Sequence, residues 1–471
     1  MNVERCIELH NEIVQHGWVG SGRSPETLTS QSKSWFQLHG EKAEAARSDL
    51  SAELIQFLEQ AQDPYAQESE TCLSFFHWVS GLSGPGYMFE FEDLLWPWDC
   101  GSRTGEKQKD IRRRRLVLYQ AGHFGTGHTC GLIYDQKTNL CILALTLYDM
   151  DGMDERKWYP LETVLSFWLS QIRQGSIQAT PERGGKLREE WPALRENRDP
   201  SNWVFVPYNE VMMKRNLEIW DKLVEAIESR MPMESISAQP ICGILENNVR
   251  KTISLPQRFA YNFLFRARRP RFKKIAPGLR VITSSDFPDQ PFRSHMSKDK
   301  DETPPILLFR SELNFFEDPT WNPRDLDARM PHFYDYRDVR IYPSGLYLLP
   351  TEYGHQNLED QISFVLPFAI GGNQYARSSD GQKFMDCRQH GNDSFTQLYS
   401  RGRQSLEDFQ SQSLACVLEN WLGMVEGGIW KVDENGVVGD METWKEADTK
   451  EGWEKYVIPS EESCHHEWEV L

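Results

Sequence analysis

No uninterrupted apolar run in this chain reaches the roughly 18 residues a helix needs to cross a bilayer. The opening MNVERCIELHNEIVQHGW carries charges where a signal peptide has its apolar run. The expected setting is therefore cytoplasmic, with no membrane partner. Nine cysteines are scattered from Cys6 to Cys464 with no CxxC pair and an odd total. That argues against a disulfide framework and a zinc ribbon, and the thiols read as reduced. GSGRSPETLTSQSK at 20–33 has glycines and serines but no GK[ST] after them, so it reads as a turn-rich linker and not a phosphate loop. There is no HExxH and no internal repeat, and no cofactor or metal is expected.

What is present is a large apolar inventory. At 471 residues, with 39% hydrophobic content and 16 Trp, the chain exceeds the usual single-core size and calls for two lobes. Apolar positions recurring at three and four predict helices over 3–16, 45–62 and 67–81. Strands follow in RRRRLVLYQAG, HTCGLIYD and LCILALTLYD, with Gln136-Lys137-Thr138-Asn139 as a hairpin turn. Helices are expected at 160–173, 208–230, 241–251, 404–425 and 440–456. Further strands are WVFVPY, GLRVITSS, PPILLFRSEL, VRIYPSGLYLLP and ISFVLPFAI, with a hairpin around Asn435-Gly436. The fold class is mixed α/β: a central sheet flanked by helices, with a helical N-terminal portion and a strand- and loop-rich second half; α+β is the alternative. The expected division is 1–174, a polar linker or mobile loop at 175–201, a second lobe at 202–459 and an acidic tail at 460–471.

One segment stands apart in charge. The formal net charge is −18, yet the 31 residues from Arg250 to Arg280 carry ten Lys or Arg and no Asp or Glu. Without them the chain holds 42 basic against 70 acidic residues, or −28. Phe259, Tyr261, Phe263, Phe265 and Phe272 are threaded through the run. Cations for phosphates and flat rings for unstacked bases are what single-stranded or looped RNA asks for. The candidate RNA-binding residues are Arg258, Arg266, Arg268, Arg269, Arg271, Lys273 and Lys274. Helical spacing of Leu255, Phe259 and Phe263 equally allows a core role for the rings.

Four constellations could carry chemistry. Asp149, Asp151, Asp154 and Glu155 end a predicted strand as a Mg²⁺ or Mn²⁺ site would, or as turn formers. His123 and His128 flank a Gly-rich loop that could bind a metal or an anion, or be a tight connection. Ser284 and Ser285 sit beyond a strand end, where a covalent acyl carrier would be displayed and where capping serines also occur. Asp448 and Glu451, three apart, would share a helical face suited to a guanidinium, an amine or general-base work, or be a solvated acidic face.

The order YQAGHFGTGHTCGLIYDQKT, LTLYDMDG, WYPLETVLSFWL and the C-terminal ADTKEGWEKYVIP resembles the fungal arginine-containing cyclodipeptide synthases. The resemblance covers about 110–175 and 404–459. It places that family's acidic DDxxE signature on Ala447, Asp448, Thr449, Lys450 and Glu451, with alanine where the first Asp belongs. It implies a transferase with arginyl-tRNA and a second aminoacyl-tRNA as partners, no DNA, and a cyclo(Arg-Xaa) diketopiperazine as product. The tRNA ester is already activated, so no ATP site is needed. A carboxylate pair would distinguish Arg from Lys by bidentate contact. Two other classes stay open: a metal-dependent transferase or nuclease on Asp149 and Asp151, and a non-catalytic RNA-binding protein.

Overall fold

The computed structural model describes residues 1–64, 73–89, 114–122, 129–146, 153, 156–181, 202–232, 241–251, 253–297, 303–314, 342–350, 358–384, 395–402, 406 and 411–458. The chain is a mixed α/β protein of two units: Met1–Val206 with Arg403–Phe409, and Pro207–Gly402 with Gln410–Leu471. The division falls at Val206, beyond the expected 175–201 linker. The reason is a pairing: Ile177–Ala179 forms an antiparallel ladder with Trp203–Phe205 and so draws the WVF segment into the first unit.

In the first unit, Val79–Leu82, Arg115–Ala121, Thr129–Asp135, Leu140–Thr146 and Tyr159–Pro160 form a five-stranded sheet in that order, antiparallel throughout. Consecutive Leu116, Val117, Leu118 and Tyr119 are all buried, as the unbroken apolar run requires of a strand covered on both faces. The turn after Thr129–Asp135 is built by Asp135, whose Oδ1 accepts from the backbone N–H of Lys137 at 2.9 Å and of Thr138 at 3.2 Å. Asn139 then takes φ 58°, the left-handed conformation that asparagine tolerates. Helices Val3–Gly20 and Leu161–Arg173 pack together beside this sheet. The 20–33 linker contains a short helix, Pro25–Gln31, with proline in its first turn.

The 67–81 helix is corrected over its described part. Val79–Leu82 is a strand, and Phe75, Phe76 and Trp78 cluster with Tyr119, Trp168 and Trp203 instead of forming a helical stripe. His10 is buried among them. It stacks on Phe75, with Tyr119 Oη 2.7 Å from its Nδ1 and the Gln62 carbonyl 2.9 Å from its Nε2. Burial pulls the imidazole down to about 4 against the opposing hydrogen bond to Gln62.

The second unit holds an eight-stranded sheet. Its order is Phe395–Leu398, Ile362–Ile370, Pro343–Leu348, Ile306–Asn314, Leu279–Val281, Lys274–Ala276, Gly436–Val437 and Val432–Asp433. All pairings are antiparallel except Lys274 with Gly436. Helices Glu210–Glu228 and Leu414–Glu426 pack against each other. Between them and the sheet lies an aromatic core in which Trp220 stacks on Phe309 at 5.8 Å and Phe364 meets Trp444 edge-on at 4.6 Å. The Asn435-Gly436 hairpin forms as its sequence asks. Gly436 has φ 108°, and a Cβ there would sit 2.3 Å from the Lys274 carbonyl, so only glycine permits this approach.

Two further expectations change. Residues 241–251 are a two-residue strand, Ile241–Cys242, and a 3₁₀ turn, Asn247–Lys251, instead of a helix. The terminal helix is two 3₁₀ turns, Met441–Asp448 and Trp453–Tyr456. Buried Met441, Trp444 and Ala447 lie exactly three apart, the period of a 3₁₀ helix and not of 3.6.

Candidate nucleic-acid interface

The basic stretch is assembled from helix Phe259–Arg266 and three short strands, Arg268–Arg269, Lys274–Ala276 and Leu279–Val281. All five rings are buried, none more than 7% exposed. Phe259 and Phe263 stack on each other at 5.8 Å, and Phe263 packs against Trp220. The helical spacing therefore serves the core. The rings form no platform on which bases could stack.

The cations behave differently. The run has no acid of its own, but the fold supplies five from elsewhere in the unit. Arg258 pairs with buried Glu359, and Arg266 with Glu210 at 2.8 Å. Arg269 meets Glu246 at 3.4 Å and the Gly243 carbonyl at 3.0 Å, while Arg280 meets Asp286 at 2.7 Å. Hydrogen bonds from Arg266 hold the Glu210 carboxyl below its usual range.

Arg268 and Arg271 share a single acid, Glu228, whose side chain is 3% exposed. The backbone N–H of Arg271 also donates to Glu228 Oε1 at 3.1 Å, and Trp220 Nε1 donates to the Arg268 carbonyl at 2.7 Å, fixing the chain on both sides. Each of the two guanidinium side chains keeps 23% of its surface exposed. Lys274 Nζ reaches the Gly439 carbonyl at 3.3 Å. Lys273 is exposed, and its ammonium has no partner among the described residues. Among the described residues the six cations from Arg266 to Lys274 pair with three carboxylates, Glu210, Glu228 and Glu246, and Asp221 also lies in the field of Arg268, so the cations outnumber these acids by two.

Among the described residues no hydrogen bond or ion pair joins Asp448 or Glu451 to Ser284 or Ser285. Asp448 is buried, and its carboxylate is filled. Oδ2 accepts from the backbone N–H of Gly371 at 2.9 Å and Asn373 at 2.8 Å, and Oδ1 from Tyr375 at 2.9 Å and Ala376 at 3.0 Å. A carboxylate offers about four acceptor sites, so all are used. It pins a loop that turns through Gly371, at a φ of 105° that glycine adopts freely, and is strained at Gln374, φ 65°. Glu451 is exposed in a turn beyond Thr449, whose extended backbone (φ −120°, ψ 154°) ends the 3₁₀ turn. The shared helical face expected for the pair is not formed. Glu451 has no hydrogen bond or ion pair among the described residues.

Ser284 and Ser285 are turn residues. Ser284 Oγ accepts from the Glu246 N–H at 2.7 Å, and Ser285 Oγ lies 2.8 Å from Thr283 Oγ1, which donates to Asp286 at 2.7 Å. Burial raises the Asp286 carboxyl, but hydrogen bonds from Arg280 and Thr283 outweigh it and bring it down to about 2, too acidic for a general base. Asp149, Asp151, Asp154, Glu155, His123 and His128 lie outside the described residues. Among the described residues no group of three metal-ligating side chains comes together, and no helix is long and apolar enough to cross a membrane.

Sequence reasoning missed Glu228, although a signal existed. It falls four residues after Val224, on the buried stripe of its helix, and at the C-terminal end, where the helix dipole disfavours an acid. A carboxylate misplaced on both counts asks for cations.

No protein-family model, curated protein or solved structure matches the chain.

Proposed function

We propose that this protein is an aminoacyl-tRNA-dependent cyclodipeptide synthase that joins arginine from arginyl-tRNA to a second aminoacyl group. The amine of one aminoacyl ester attacks the ester carbonyl of the other and releases one tRNA 3′-hydroxyl. The free amine of the dipeptidyl ester then closes the ring and releases the second tRNA. The reading rests on the sequence resemblance together with one structural observation: at Arg266–Lys274 cations outnumber the described carboxylates around them, on a chain whose remainder is strongly acidic. Such a patch draws phosphates locally while the rest of the surface discourages nonspecific wrapping.

Because the five rings are buried, the contacts in this proposal are to the phosphate backbone of a paired stem, and not to unstacked bases. Glu451, exposed and uncommitted, is the carboxylate that would meet the arginyl guanidinium. Asp448 would act only through the 371–376 loop that it holds.

The test is mass spectrometry of the products formed from pre-charged arginyl-tRNA and mixed aminoacyl-tRNA, without ATP or added metal. Arginine-containing cyclic dipeptides are expected. RNA binding with no product from any charged tRNA would replace this reading with a non-catalytic RNA-binding protein. One observation favours that second reading: the hydroxyls of Ser284 and Ser285 are engaged in a turn, and the Asp286 carboxylate that shares this turn is too acidic for a base.

A further inference from the structure

We infer that Glu228 is a positioning residue for phosphate recognition: its buried carboxylate, shared by two guanidiniums, sets Arg268 and Arg271 as one rigid clamp for a phosphodiester of duplex RNA. The inference deepens the proposed function and rests on its premise that the basic stretch binds RNA.

A surface arginine ordinarily loses much rotamer freedom when it grips a phosphate. Here the ordering is built in. Both guanidiniums end on Glu228 Oε2, and the Arg271 backbone is bonded to Oε1 of the same carboxylate. Two guanidiniums thus share one buried carboxylate, and Asp221 adds a second, weaker negative charge in the field of Arg268. Arg268 has five N–H donors, and its only side-chain hydrogen bond is to Glu228. Both side chains keep 23% of their surface exposed, Arg268 has donors beyond the one bonded to Glu228, and a planar fork suits phosphate better than an ammonium does. Exposed Lys273, two residues on, adds an unpaired charge.

A carboxylate beneath a cationic patch has two opposite predicted effects, which makes the sign of one substitution decisive. If only net charge matters, Glu228→Gln raises the patch by one charge and tightens RNA binding. If positioning matters, the same variant releases the two guanidiniums and weakens binding despite the added charge. The probe is an unmodified tRNA transcript, titrated by fluorescence anisotropy at fixed salt, with melting curves run on every variant. Glu228→Gln is expected to bind at least about fivefold more weakly, because an unlocked fork must be ordered on binding. Tighter or equal binding by the folded variant overturns the inference.

The double variant Arg268→Lys/Arg271→Lys serves as a second arm that does not depend on how Glu228→Gln folds. It keeps the charge and removes the fork, so a loss of about tenfold is expected, and retention within about twofold overturns the clamp. A third arm separates this inference from the reading beneath it. If Arg268→Ala/Arg271→Ala loses affinity while the Lys variant keeps it, the stretch binds RNA without a clamp. If the Ala variant binds as well as wild type, RNA binding by this stretch falls, and the role of Glu228 with it.

Discussion

The cationic run at 250–280 and the acidic segment at 447–451 present the same problem in sequence, since each is a charge cluster readable as a working surface. The fold treats them in opposite ways. Arg268 and Arg271 share one buried carboxylate, yet their side chains remain partly exposed. Asp448 is buried with its acceptors consumed by four backbone amides. Whether a charged residue can act on a ligand thus depends less on its charge than on how much of its hydrogen-bonding capacity the fold has already used.

The comparison breaks most visibly at Ala447 and Asp448. Ala447 packs in the core, so Ala447→Asp, which would complete the acidic signature, places a carboxylate among buried apolar groups and should cost roughly 4 kcal/mol or unfold the protein. Asp448→Asn leaves amide hydrogens facing the N–H groups of the 371–376 loop and should cost about 3 kcal/mol, lowering the melting temperature by about 5 °C. Glu451→Gln should shift stability by less than about 0.5 kcal/mol. Equal, small shifts in thermal melts of Asp448→Asn and Glu451→Gln would mean that the carboxylate does not hold the loop.

A buried group with its hydrogen bonds filled should also be legible in the pH profile, and His10 in the first unit sharpens the contrast. Its folded pKa, lowered to about 4 by burial, lies below the ordinary value of 6.5. The unfolded chain therefore takes up a proton first as pH falls. Stability should be full above pH 6.5 and decline by roughly 3 kcal/mol toward pH 4. His10→Gln should flatten that decline in melts between pH 7 and 4.5. An unchanged slope would assign the acid sensitivity to other groups.

Smaller effects are expected at the serines. Ser284→Ala removes the acceptor for the Glu246 N–H and should cost about 1 kcal/mol, with Ser285→Ala costing less. If the proposed synthase activity holds, both variants should keep it within about threefold of wild type. A loss beyond about a hundredfold in a folded variant would restore that serine as an acyl carrier.

Much of the scaffold is legible in the sequence, because its signals are local. Gln136 to Asn139 and Asn435-Gly436 turn where they should, and the apolar stripe of Leu161–Arg173 makes the amphipathic helix. What is not legible depends on distant partners. The stretch itself contains no acid, and nothing local tells that Glu210, Glu228, Glu246, Asp286 and Glu359 converge on it. The 3₁₀ geometry at Met441–Asp448 was present in the spacing of Met441, Trp444 and Ala447, but the shorter period is easily taken for a helical one. The loop bonded to Asp448 lies more than seventy positions earlier in the chain.

The most direct measurement of the central claim is the salt dependence of tRNA binding for wild type and Arg268→Ala/Arg271→Ala. If these two guanidiniums meet phosphates, the slope of log affinity against log salt should become shallower by about 0.7 to 0.9 for each lost contact, close to two in all for a duplex stem. An unchanged slope and affinity would contradict the account, and would leave the cationic run as ion pairs that hold the second unit together.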